Sequence, residues 1–149
     1  MTVKEFRVHL ALGTLTYTAK HSIALDDSTS RSMLKVLIDH EETLGFNIQI
    51  TQAVLAHGNI ARNILRKFST HRYVWFRCEV ARNLRTPRDV LKKLSKDEST
   101  NVRNAVAINC NTPYSTKMLL CKDPYWMVSV NVKSMIKTGK PADFGVKLK

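Results

Sequence analysis

Phe76-Arg77-Cys78-Glu79-Val80-Ala81-Arg82-Asn83 runs into Leu84-Arg85-Thr86-Pro87 and closes at Lys96-Asp97. The pattern returns 26 residues later as Val102-Arg103-Asn104-Ala105-Val106-Ala107-Ile108-Asn109, then Cys110-Asn111-Thr112-Pro113, closing at Lys122-Asp123. Asn83, Thr86, Pro87, Leu94, Lys96 and Asp97 thus recur as Asn109, Thr112, Pro113, Leu120, Lys122 and Asp123, and Val80-Ala81 as Val106-Ala107. A fixed period of this size belongs to architectures in which each unit buries its apolar face only by stacking on its neighbours.

Each unit reads as two short helices. Thr86-Pro87 and Thr112-Pro113 pair an N-cap residue with proline at the first helical position, where a missing N–H costs nothing. Asp89, three residues after Thr86, suits a capping box. A second start is clearest at Asp123-Pro124, with Asp97-Glu98 in the equivalent place. The spacing predicts helices over 87–96 and 98–109, then 113–122 and 124–137. Val90, Leu91 and Leu94 form one apolar stripe and Val102, Val106 and Ala107 another, at helical spacing.

This unit resembles the leucine-rich repeat variant family, a relative of HEAT-type helical repeats, whose pattern runs valine-arginine-x-x-valine-alanine-x-asparagine-x-x-threonine-proline. Val102 to Pro113 matches it closely, and Phe76 to Asp97 matches with Phe76 for the first valine. Val128 to Lys133 keeps the apolar skeleton, and a faint trace upstream sets Val54, Ile64, Leu65 and Phe68 against Val80, Val90, Leu91 and Leu94. The likeness covers residues 54–134. It implies a mostly α fold, a short right-handed α-solenoid of about three HEAT-like two-helix repeats. It implies little about activity, since one fold hosts many functions.

The flanking segments carry weaker signals. In residues 3–25, Val3, Phe6, Val8, Leu10 and Leu12 partly alternate with Lys4, Arg7 and His9, and Thr14-Leu15-Thr16-Tyr17-Thr18 has high strand propensity. A hairpin turning near Gly13 is expected, with a helix over 4–12 as the competing form. Asp26 to Ser30 is a polar break ending in N-cap residues, and Arg31 to Glu42 reads as a helix with Met33, Leu34, Leu37 and Ile38 on one face. Gly45 closes it. Ile50 to Ala56 is expected to be helical up to Gly58, with Asn59 capping Ile60 to Phe68, and His71 to Arg82 leading into the first clear repeat. One domain is expected, comprising an N-terminal hairpin-plus-helix cap (1–48), helical repeats (49–138) and a short, mobile basic tail (139–149).

An apolar content of 44% is enough for a core. No apolar run is long enough to span a membrane, and Met1 to Glu5 lacks the character of a signal peptide, so a cytoplasmic location is the expectation. Cys78, Cys110 and Cys121 are odd in number and widely spaced, which favours reduced thiols.

The strongest functional sign is a net charge of +12, unevenly spread. Residues 1–50 hold five basic and six acidic side chains, whereas residues 60–103 hold twelve against four. An acidic partner for the repeat half follows, nucleic acid first and an acidic protein second. The repeat register aligns the cations: Arg62 with Arg88, Arg66 with Lys92, Lys67 with Lys93, Arg77 with Arg103. Arg62–Arg66 and Arg88–Lys92 are four apart, hence on one helix face. The candidate contact set for a phosphate backbone is Arg62, Arg66, Lys67, Arg72, Arg77, Arg85, Arg88, Lys92, Lys93 and Arg103. Arg77 and Arg103 equally suit bonds to a neighbouring helix end.

Tyr73, Trp75, Phe76, Tyr125 and Trp126 flank equivalent helix starts; they suit either base stacking or inter-repeat core, and the tryptophans suit the ends of a stack. An enzyme of DNA-glycosylase type has one supporting pair, Asp123 with Trp126, although N-capping accounts for Asp123 as well. Neither the five histidines nor the cysteines have metal or iron–sulfur spacing, and no phosphate-binding glycine loop or nucleophile elbow occurs. The expectation is therefore a binding protein without catalytic residues, metal or cofactor. The alternatives are a protein-interaction module regulating an acidic partner and, third, the glycosylase.

Overall fold

The computed structural model describes residues 1–142, and every regular element among them is helical. The ten helices are α1 (Val3–Ala11), α2 (Tyr17–Leu25), α3 (Arg31–Leu44), α4 (Ile48–Ala56), α5 (Arg62–Phe68), α6 (Val74–Arg82), α7 (Arg88–Leu94), α8 (Thr100–Ile108), α9 (Tyr114–Leu120) and α10 (Trp126–Thr138). Of the basic tail expected over 139–149, residues 143–149 lie outside the described residues.

From α4 onward the spacing is strict. The even-numbered helices begin at residues 48, 74, 100 and 126, 26 apart, and each odd-numbered helix between them has 7 residues. α2, α4, α6, α8 and α10 pack successively, each on the next, while α3, α5, α7 and α9 each rest on the even-numbered helix that follows. The result is two layers. One apolar core runs between them, from Phe6 and Leu34 through Leu65, Phe76 and Leu91 to Val128 and Val132.

Side-chain bonds repeat with the same register. Asn83 Nδ2 donates to the carbonyls of Leu55 (2.8 Å) and His57 (3.2 Å), and Asn109 Nδ2 to those of Ala81 (2.8 Å) and Asn83 (3.2 Å). These four carbonyls lie at the last turns of α4 and α6 or just beyond, where helical partners run out. Each asparagine thereby ties its helix end to the preceding layer member.

The N-terminal region departs from the expected hairpin. Residues 3–25 hold α1 and α2, so the competing helix holds, while of the strand-like segment after Gly13, Thr14 to Thr16 link the two helices and Tyr17 and Thr18 open α2. Thr2 and Glu5 make a reciprocal capping box, and Thr16 accepts the N–H of Ala19. Phe6 and Leu10, four apart, are buried with Ala24 against the core. Of the threonines only Thr18 is helical; Thr14 stands in the link and Thr16 serves as the cap.

Other local expectations meet mixed outcomes. Ser30 caps α3 and Gly45 closes it at φ 96°, as read. Thr86 and Thr112 do not cap. Each hydroxyl donates back to the preceding even-numbered helix, at Val80 and Val106, and Pro87 and Pro113 occupy the cap position. Asp89 bonds Arg66 across to α5 and forms no capping box. Asn59 likewise turns away from α5, donating to the carbonyls of Asp27 and Thr29.

Candidate nucleic-acid interface

α5 and α7 each bury one stripe and expose the rest. Ile64, Leu65 and Phe68 face the core from α5, and Val90, Leu91 and Leu94 from α7. Helical periodicity then sends Arg62, Arg66 and Lys67, and their equivalents Arg88, Lys92 and Lys93, to the outside, and all six are exposed. The ladder stops at α9. There the same register positions carry Tyr114, Met118 and Leu119, exposed at 66%, 46% and 58%.

Two rungs are partly neutralised. Arg66 pairs with Asp89 of the next odd-numbered helix, and its hydrogen bond holds the Asp89 carboxyl below the usual range. Lys67 pairs with Glu42. Surface pairs of this kind contribute little and yield readily to a stronger anion. Arg62, Arg85, Arg88, Lys92 and Lys93 have no carboxylate partner among the described residues. Arg72 is exposed and lies over the adjacent Tyr73 ring, 4.9 Å from its centroid.

Arg77 and Arg103 sit elsewhere. Arg77 is buried in α6 and forks onto Asp97 (Nε to Oδ2 2.7 Å, Nη2 to Oδ1 2.9 Å), with a further bond to Glu98. Its Nη1 donates to the carbonyls of His71 and Arg72. Arg103 repeats the arrangement on Asp123 (2.7 and 3.1 Å) and on the carbonyls of Asp97 and Glu98. The hydrogen bonds that the two arginines donate to the aspartates push both guanidinium pKa values up. Both arginines tie the link before their own helix to the link after the next one, and neither faces the ladder.

Asp123 is spoken for in the same way. Burial pushes its carboxyl upward, but the bonds from Arg103 and from the Tyr125 N–H (2.9 Å) outweigh this and leave it below the ordinary range. Of the five aromatics that flank the helix starts, Phe76 alone joins the core, in a cluster with Phe46, Phe68, His71 and Tyr73. Trp75 and Trp126 are exposed, at 61% and 56%. Trp75 stands on a groove of about 470 Å³ between α6 and α8, beside Arg82, Asn101 and Asn104. No group of histidine, cysteine and carboxylate side chains among the described residues is arranged to hold a metal ion, and none of the helices described is long and apolar enough to cross a membrane.

The sequence carries a sign of the arginine–aspartate pairs. A carboxylate follows each arginine by twenty positions in both units. A cation with a carboxylate partner at constant register is better placed for an internal tie than for a ligand.

Comparisons with protein-family models, with curated proteins and with solved structures returned no match.

Proposed function

We propose that the chain is a short right-handed α-solenoid of HEAT-like two-helix repeats that binds nucleic acid by its phosphate backbone, without catalysis. The observation that carries this reading is the outward row of Arg62, Arg88, Lys92 and Lys93 on α5 and α7, joined by Arg85, with no carboxylate partner among the described residues. Arg66, Lys67 and Arg72 extend the row at its margin. Arg77 and Arg103 hold the scaffold behind it. Arg66 of α5 reaches Asp89 of α7, so the two rungs are near enough for each to meet a phosphate of one strand. Each such contact releases a counterion, and five contacts give a slope of about −4.5 in log K against log salt on duplex DNA. A gel-shift series against duplex DNA, single-stranded DNA and RNA over a salt titration tests it: steep salt dependence with little sequence preference supports the reading, and retention of no polyanion at low salt refutes it.

A second reading, docking on an acidic protein, is favoured by Tyr114, Met118 and Leu119. They place an exposed apolar strip directly beyond the cationic rungs, and mixed surfaces of aromatic, methionine and arginine side chains suit protein interfaces. Co-purification of a protein that survives nuclease treatment and is lost on Tyr114→Ser with Leu119→Ser separates it from the first. The glycosylase reading draws least support, because both oxygens of Asp123 already serve the fold.

A further inference from the structure

Arg62, Arg85 and Arg88 converge on one recess of about 430 Å³, with Thr86 and Asn111 among its other walls. The three arginines come from separate places: Arg62 opens α5, Arg88 opens α7, and Arg85 stands in the link before α7. Arg85 is not on a loose loop. Its backbone N–H donates to Asn83 Oδ1 at 2.8 Å, and Asn83 is buried and anchored on the carbonyls of Leu55 and His57. The Nε of Arg85 is itself buried without a hydrogen-bond partner among the described residues.

That combination is unfavourable as it stands. Three permanent positive charges share a concavity that no carboxylate lines, and one buried donor goes unmet. A second recess shows the contrast: Lys92, Lys93 and Lys96 line it together with the carboxylates of Asp89 and Asp97. Planar guanidinium forks match the oxygens of a tetrahedral oxyanion, which takes several N–H donors at once. Binding such a group relieves the repulsion and supplies acceptors to the arginine donors in a single step.

We propose that the Arg62–Arg85–Arg88 recess is a seat for one phosphate group. The proposal rests on the nucleic-acid reading for the origin of that phosphate, a backbone phosphodiester or a terminal phosphomonoester, but its chemistry stands apart from it. The seat fixes the register of a bound strand, while Lys92 and Lys93 make looser contacts further along α7.

The test uses the full chain and two probes: inorganic phosphate against chloride at matched ionic strength, and a short oligonucleotide with and without a 5′-phosphate. The variants are Arg62→Gln, an exposed position, Arg85→Lys, which keeps charge but loses the fork, and Lys93→Gln as a control outside the recess. Saturable one-to-one binding of inorganic phosphate is expected, weakened roughly tenfold by Arg62→Gln and by Arg85→Lys and unaltered by Lys93→Gln. The oligonucleotide should lose roughly tenfold more with Arg62→Gln than with Lys93→Gln. A gain from the 5′-phosphate assigns the seat to a strand end; equal affinity with and without it assigns the seat to the backbone. Phosphate binding with no oligonucleotide binding keeps the seat and removes the nucleic-acid reading. Failure of phosphate to saturate, or equal weakening of the oligonucleotide by Arg62→Gln and Lys93→Gln, overturns the seat and leaves that reading in place.

Discussion

The side-chain amide of Asn109 donates to the backbone carbonyl of Asn83 at 3.2 Å, one repeat period away along the chain. The same amide reaches Ala81 at 2.8 Å, and Asn109 Oδ1 accepts the N–H of Asn111. One buried residue therefore satisfies the end of α6, stops its own helix and turns the chain toward α9. Asn83 does the same one unit earlier and in doing so fixes Arg85. Scaffold and cationic face thus meet at this asparagine.

Removing the amide should expose that dual role. Asn109→Ala leaves the buried Ala81 carbonyl unmet and takes one of two donors from that of Asn83, which keeps the Thr86 N–H, at a cost of about 2 kcal/mol. The exposed neighbour Asn111 donates to the Leu84 carbonyl and accepts only a long contact from the Cys110 thiol, and Asn111→Ala should cost under about 1 kcal/mol. Urea unfolding of both variants checks the difference.

The Arg103–Asp123 fork makes a second prediction. Asp123→Asn leaves a largely buried guanidinium without its counter-charge, and a loss of about 3 kcal/mol is expected. The folded-state carboxyl lies below its ordinary value, so the stability it contributes is present above about pH 4 and is lost as pH falls through the folded-state value. In Asp123→Asn that acid-side loss should shrink, as read from urea midpoints across the acid range.

His71 also loses stability on the acid side, but there the neutral form is the one the fold favours. Burial first, then the nearby Arg72, lower its pKa, and its Nδ1 accepts the N–H of Tyr73 at 3.1 Å, a role open only to the neutral ring. Folding favours the neutral form, so stability should begin to fall as pH drops below about 6.5. Proton NMR titration should place His71 under that value; a value above it contradicts the packing.

The three thiols should separate by reactivity. Cys110 is exposed, whereas Cys78 is buried and its thiol is pushed up by that burial. A water-soluble maleimide should modify Cys110 first and Cys78 only once denaturant opens the fold, with mass spectrometry of digests giving the order.

Much of the helix layout was legible, for identifiable reasons. The Thr-Pro pairs and the stripes Val90–Leu91–Leu94 and Val102–Val106 set α7 and α8 within a few residues of where they lie. The N-terminal helices were not legible as a pair, because Thr14 to Thr18 carries strand propensity, whereas in the fold Thr14 to Thr16 form the link and cap before α2 and Phe6, Leu10 and Ala24 supply the burial. The Phe6–Leu10 interval was the available sign. For the interface, helical spacing alone sends Arg62, Arg66, Arg88 and Lys92 outward, whereas the inward turn of Arg77 and Arg103 depends on partners twenty positions on. The recess depends on Asn83 holding Arg85 close to the starts of two other helices, which no linear pattern displays.

The most direct measurement compares two charge-matched variants in one salt series: Arg88→Glu with Lys92→Glu on α7, and Lys4→Glu with Arg7→Glu on the exposed side of α1. Both change net charge equally. If nucleic acid lies along α5 and α7, the first variant should lose binding and flatten the salt slope by about 2, while the second keeps both nearly intact. Equal losses in the two variants would contradict a localised face and leave only the attraction of a basic protein for any polyanion.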